Sequence, residues 1–194
     1  MLALVCLFAG FALGFLFRGS SAPMVTSAGA VSGPAVPTPG GSLPQGGNSP
    51  LHDAQLVEPL AAPLKMAVQA NPKNFEALVQ LGNLYYDHHV YAEAIDYYGR
   101  ALELRPTDAN VRTDRGTALW YSGFADQALA EYERVLSAQP NFAPALMNMG
   151  IVKLEGLRDS RGAVAAWEKM LAANPNHPER QRVQMLIQRA RGTP

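Results

Sequence analysis

The residues best equipped for chemistry are few. His88 and His89 stand side by side after Asp87, and His52 and His177 complete the four histidines. Two histidines share a metal ion when they project from one helix face, four residues apart, whereas neighbours on a helix point about 100° apart. The pair makes no metal site, and its place between two helical patterns gives it the character of a polar turn. Cys6 is the single cysteine, so no internal disulfide can form. Val5 precedes it and apolar sequence continues after it, which is not the setting of a lipidated cysteine. No Ser/His/Asp or Cys/His arrangement, Gly-rich phosphate loop or pair of carboxylates stands out. The expectation is a protein without catalytic residues, metal or cofactor. Lys and Arg number 16 and so do Asp and Glu, a balance that argues against general nucleic-acid binding. Function must then reside in a surface, and a repeat shapes that surface.

Residues 75–108 place Leu78, Leu81, Gly82, Tyr85, Ala94, Tyr98 and Ala101 at helical spacing before Pro106. The pattern returns in residues 109–142 with Arg112, Arg115, Gly116, Leu119, Ala128, Tyr132, Val135 and Pro140. A third copy begins at Ala143 with Leu146, Met149 and Gly150, and resumes after one inserted residue with Ala163, Trp167, Met170 and Pro175. Such a period marks stacked helix pairs rather than one globular core. Leu78, Leu81, Gly82 and Tyr85 share one helix face, and Ala94, Tyr98, Ala101 and Leu102 share another. A glycine inside a helix costs about 1 kcal/mol relative to alanine. Its return at Gly82, Gly116 and Gly150 therefore points to close helix approach, with Tyr98 filling the space beside Gly82. Pro106 cannot continue a helix and Asp108 is a good N-cap for the next, so each proline marks a corner between repeats.

These marks resemble the tetratricopeptide repeat (TPR): a small residue in the first helix, another early in the second, an aromatic four positions later and a closing proline. The resemblance covers three copies, residues 75–108, 109–142 and 143–177. It implies an all-α fold, a right-handed superhelical stack of three helix pairs whose first helices line a concave groove. Carried over position by position, that groove is lined by Glu76, Val79, Asn83, Tyr86 and Asp87, by Asn110, Thr113, Thr117, Trp120 and Tyr121, and by Pro144, Met147, Ile151, Leu154 and Glu155. Family members that clamp a C-terminal carboxylate use an asparagine in the first repeat and cations in the third. Asn83 matches, but Met147 and Ile151 stand where the cations belong, so an anionic terminus would lose water without gaining partners. The lining suits an amphipathic helix or an extended apolar segment, with Tyr86, Trp120 and Tyr121 as anchors. The competing expectation for Trp120 is that it packs under a neighbouring helix.

Outside the repeats, residues 2–17 are uninterrupted apolar and small sequence closed by Arg18. As a helix they reach roughly 24 Å, a little short of the ~30 Å hydrocarbon core. With no Lys or Arg before the run and Pro23 after its small residues, residues 1–18 read as an uncleaved transmembrane anchor rather than a signal peptide. Gly10 and Gly14 give a GxxxG spacing through which two such helices can pair. Residues 19–52 hold no Asp, Glu, Lys or Arg and are rich in Gly, Pro, Ser and Thr, the composition of a disordered tether with a reach of about 30 Å. Residues 53–74 resemble half a repeat; Pro59 and Pro63 are expected to limit them to a short capping helix starting near one or the other. Residues 178–194 are expected to form a C-terminal cap with Val183, Leu186 and Ile187 on its inner face.

The combined expectation is a membrane-anchored, non-enzymatic scaffold for a protein or peptide. An anchor, a tether and a few TPR units look like bacterial envelope assembly factors, in particular those presenting apocytochromes for c-type haem attachment. The alternatives are a component of a secretion or pilus machine, or the non-catalytic subunit of an enzyme complex. The uncharged tether favours the periplasmic face of the inner membrane, while Arg18 alone favours the cytoplasmic one.

Overall fold

A computed structural model describes residues 50–192. These form α1 (Pro50–Ala70), α2 (Phe75–Asp87), α3 (Tyr91–Leu104), α4 (Ala109–Tyr121), α5 (Ala125–Ala138), α6 (Ala143–Glu155), α7 (Ser160–Ala173) and α8 (Arg180–Arg191), with no strand among the described residues. Each helix packs on the next in chain order. The expected anchor, residues 1–18, and nearly all of the expected tether lie outside the described residues. Among those described, no helix is long and apolar enough to cross a membrane.

The helix starts follow from side-chain chemistry. The Asn74 and Asp108 carboxamide and carboxylate oxygens accept from the backbone N–H of Ala77 and Val111 at 3.1 and 3.0 Å, and Asp159 accepts from Gly162 at 2.8 Å. Each satisfies a donor that has no partner within its own helix. The turns inside the three pairs share a backbone device. His89, Gly123 and Arg158 all take left-handed φ angles, 61°, 86° and 57°. They fall 34 and 35 residues apart, so the second interval absorbs the extra residue of repeat three. Only the middle turn uses glycine, the residue that adopts this angle without strain.

Inside each pair the glycine meets an aromatic ring. A Cβ built on Gly82 would stand 2.5 Å from Tyr98 Cδ1, and one on Gly116 2.6 Å from Tyr132 Cε1; Gly150 is pressed as tightly against Trp167. All three rings are essentially buried. Close approach is thus the reason for the recurring glycine.

Two features depart from expectation. α1 runs unbroken through Pro59 and Pro63 and begins at Pro50, so residues 50–52 belong to it and not to a tether, and the expected short cap is a 21-residue helix. Both prolines are solvent-exposed. The carbonyls they leave unbonded therefore face water, which lowers the penalty of an interior proline. Val57, Ala61 and Val68 on the opposite side pack into the core of repeat one. Repeat two, in turn, replaces the apolar pair Leu78 and Leu81 with Arg112 and Arg115. Their charge is met by Glu131 of α5, only 4% exposed, with Arg112 Nη1 at 2.7 Å, Arg115 Nη1 at 2.6 Å and Arg134 Nη1 at 3.1 Å. At the far end α8 lays Val183, Ile187 and Ala190 over repeat three.

Candidate docking surface

The first helices of successive pairs approach one another directly. α4 touches α6; Asn148 of α6 donates to Thr117 Oγ1 of α4 at 3.0 Å; and the ring of Tyr86 on α2 lies 6.0 Å from that of Tyr121 on α4. In a curved stack, elements two apart in sequence come close only on the inner side. α2, α4 and α6 therefore define the inner face.

Its floor is a row of paired polar groups built from the core outward. The Tyr98 hydroxyl donates to Asn83 Oδ1 at 2.8 Å, and one repeat later Tyr132 and Thr117 share a hydrogen bond at 3.2 Å. Burial holds the hydroxyls of Tyr98 and Tyr132 well above the usual phenol range, so they remain neutral donors. Above this floor, at the turn end of repeats one and two, four rings form a patch. Tyr91 stacks on Tyr121 at 5.3 Å and 17°, Tyr86 meets Tyr91 edge-on at 5.6 Å, and His89, bonded to the Tyr91 hydroxyl at 2.8 Å, borders it. Burial raises the pKa of Tyr86, Tyr91 and Tyr121; neighbouring phenols reinforce the shift at Tyr86 and Tyr91, whereas at Tyr121 the hydrogen bond with Tyr86 opposes it.

The expected lining residues divide into three groups. Asn83, Asp87 and Tyr121 are exposed, and Val79, Tyr86, Thr117 and Trp120 are half-buried. Thr113, by contrast, is 2% exposed and returns its hydroxyl to the Ala109 carbonyl at 2.7 Å. Met147 is 8% exposed, because α8 closes over repeat three; Ile151 and Leu154 pack into the same cluster with Val183 and Ile187. The expected apolar third of the groove is thus largely spent on the cap. Trp120 packs as the competing expectation had it, its ring over the end of α6, 2.7 Å from where a Gly156 Cβ would be, and it is half-buried.

Residue-by-residue carry-over missed three members of the face. Tyr91 belongs to a second helix, but as the first residue of α3 it reaches across the turn to Tyr86. Asn148 and Asp114 lie one position beyond the carried-over Met147 and Thr113. Asp114 is half-buried, and burial, with a smaller contribution from Asp108, raises its carboxyl to about 6. Glu155 is also raised by burial, opposed by Arg189 and Arg158. No group of three potential metal ligands occurs among the described residues.

Helix pairs stacked in sequence, with a glycine-aromatic contact in each and a polar inner face, define an α-solenoid built for binding. Its repeats are tetratricopeptide repeats: two family models, both described as the tetratricopeptide repeat, match residues 75–108 and 113–156. Among curated relatives, the chain is 32% identical over 139 residues to the cytochrome c-type biogenesis protein CycH of Pseudomonas aeruginosa, covering 70% of this chain and 34% of that protein. It is 31% identical over 116 residues to a probable SPINDLY N-acetylglucosaminyltransferase of Hordeum vulgare, covering 56% of this chain and 12% of that one. The chain thus spans about a third or less of the length of these relatives. Of solved structures, MamA superposes with a TM-score of 0.61 at 23% identity, covering 71% of this chain and 73% of that one. The first TPR of Spaghetti (RPAP3), bound to the HSP90 peptide SRMEEVD, gives a TM-score of 0.53 at 21% identity, covering 61% and 94%. At these identities the structural matches show the fold alone.

Proposed function

We propose that this protein is a docking scaffold that holds a helical or extended segment of a partner protein against α2, α4 and α6. The observation that carries the reading is the tyrosine patch. Tyr86, Tyr91 and Tyr121 come from three helices of two repeats and converge within 6.0 Å, with Tyr121 38% exposed. Aromatic clusters of this kind act as binding anchors because they offer large contact area at small conformational cost. The partner class that fits best is an apocytochrome awaiting haem attachment, on the likeness to CycH, with residues 2–17 anchoring the chain in the inner membrane and the repeats on the periplasmic side. The uncharged apolar run and the uncharged Gly/Pro/Ser-rich stretch after it support that placement. The scaffold itself carries no catalytic step.

The test is capture by the full chain, reconstituted in detergent micelles, of haem-free and haem-bound forms of one c-type cytochrome. Preferential capture of the haem-free form, lost in the Tyr86→Ala/Tyr121→Ala variant at unchanged helical circular dichroism, is expected. Equal capture of both forms removes the maturation role; undiminished capture by the variant removes the patch as the docking site.

A further inference from the structure

Three residues before Thr117 and seven before Tyr121 on α4, and so on the same helix face as both, stands one half-buried carboxylate without a counter-charge. Among the described residues, no hydrogen bond or ion pair reaches Asp114, although two arginines flank it in sequence. Arg112 and Arg115 both turn away to Glu131, at 2.7 and 2.6 Å. The groups coupled to Asp114 are Tyr86 of α2, Tyr98 of α3 and Tyr132 of α5, whose hydroxyls its charge helps keep protonated, and Asp108, the N-cap of its own helix. Asp87 acts on the same Tyr98 hydroxyl. α2 contributes no Lys or Arg at all. The inner face of repeats one and two thus offers phenols and carboxylates and no free cation, whereas Glu155 in repeat three has Arg189 and Arg158 nearby.

We infer that Asp114 is the seat for a cationic side chain, lysine or arginine, carried by the docked segment. A charge pair formed in a partly desolvated groove is worth more than one in bulk water. Tyr86, whose hydroxyl feels the Asp114 charge, with Tyr121 two turns from Asp114 along the same helix face, offers ring surface to cover the aliphatic stem or stack on a guanidinium. Selection also works by exclusion. An acidic segment such as SRMEEVD would meet Asp87 and Asp114 with like charge, so this groove takes segments of the opposite sign. The inference rests on the docking reading, with Asp114 setting the charge of what docks.

The test uses the full chain and fluorescein-labelled 15-residue amphipathic helices, each made in three versions with Lys, Gln or Glu at one central position. Fluorescence anisotropy at neutral pH and low salt is expected to give the Lys version about tenfold tighter binding than Gln, which is about 1.4 kcal/mol, and Glu weaker still. Asp114→Asn should bring Lys and Gln within twofold of each other without lowering the melting temperature, while Asp87→Asn keeps most of the preference. Equal binding of Lys and Gln by the native chain, or a preference that survives Asp114→Asn, overturns the charge assignment and leaves docking intact. Absence of binding by all three versions overturns docking and this inference together.

Discussion

Gly82 and Tyr98 occupy space that only one of them can fill: a methyl group on the first would stand 2.5 Å from Cδ1 of the second. Gly82→Ala should therefore lower stability by about 1–3 kcal/mol through overpacking, even though alanine is the better helix former by about 1 kcal/mol. Gly99 is the control. It is also helical, but the nearest atom to its added Cβ is Arg115 Nε at 3.8 Å, so Gly99→Ala should gain up to about 1 kcal/mol. Urea denaturation followed by circular dichroism reads both. A gain in both variants would show that helix propensity, and not the ring contact, governs these positions.

Glu131 is the shared counter-ion of two arginines that stand where repeat one has leucines. Glu131→Ala leaves Arg112 and Arg115 partly buried without their counter-charge and should cost about 3–5 kcal/mol. Arg115 Nε is already buried without a partner, so the cluster is not ideal. Replacing Arg112, Arg115 and Glu131 together by leucine should recover most of the loss. A single variant that unfolds at the native urea midpoint would show that these ions are solvated in solution.

The left-handed turns give a prediction of opposite sign. Arg158, exposed and at φ 57°, takes an angle that costs a residue with a side chain roughly 1 kcal/mol. Arg158→Gly should raise stability, and with it the thermal midpoint, by up to about 0.5 kcal/mol once the greater freedom of an unfolded glycine is deducted. Gly123→Ala, at φ 86°, should lower it. An unchanged midpoint in both would place the strain elsewhere.

Asp114 sets a pH dependence. Its carboxyl rises from an ordinary 3.8 to about 6, chiefly through burial, so between those values the folded chain binds more protons than the unfolded one. Stability therefore falls as pH rises through that window, by roughly 3 kcal/mol at most. Asp114→Asn removes the penalty. The variant should match the native chain near pH 4 and exceed it by about 1–3 kcal/mol above pH 7. A gain that does not vary with pH would show an ordinary carboxyl there.

Most of the repeat was readable from residue types because its glycines, aromatics and prolines each do one steric job at a fixed interval. The cap at Asp108 and the apolar face of α8 were readable for the same reason. Pro59 and Pro63 misled, since whether an interior proline breaks a helix depends on which side faces water, and spacing alone does not reveal that. Thr113 and Met147 were assigned to the groove by position, but α8 and the local backbone claim them. The buried Glu131 had a usable signal: two arginines on an inward face demand an anion, and the facing helix has to supply it. Asp114 had none, because its isolation depends on where Arg112 and Arg115 turn.

The same ion cluster gives the stack an address system. Tandem units this alike are prone to partner with the wrong sibling during folding, or with a sibling in another molecule. If α5 were to seat on α2, Glu131 would be driven against Leu78 and Leu81, a buried carboxylate with nothing to answer it. Set against α4 it finds two guanidinium groups. The middle pair can thus recognise its own halves, and the order of the units along the chain is protected by electrostatics where shape alone would leave it ambiguous.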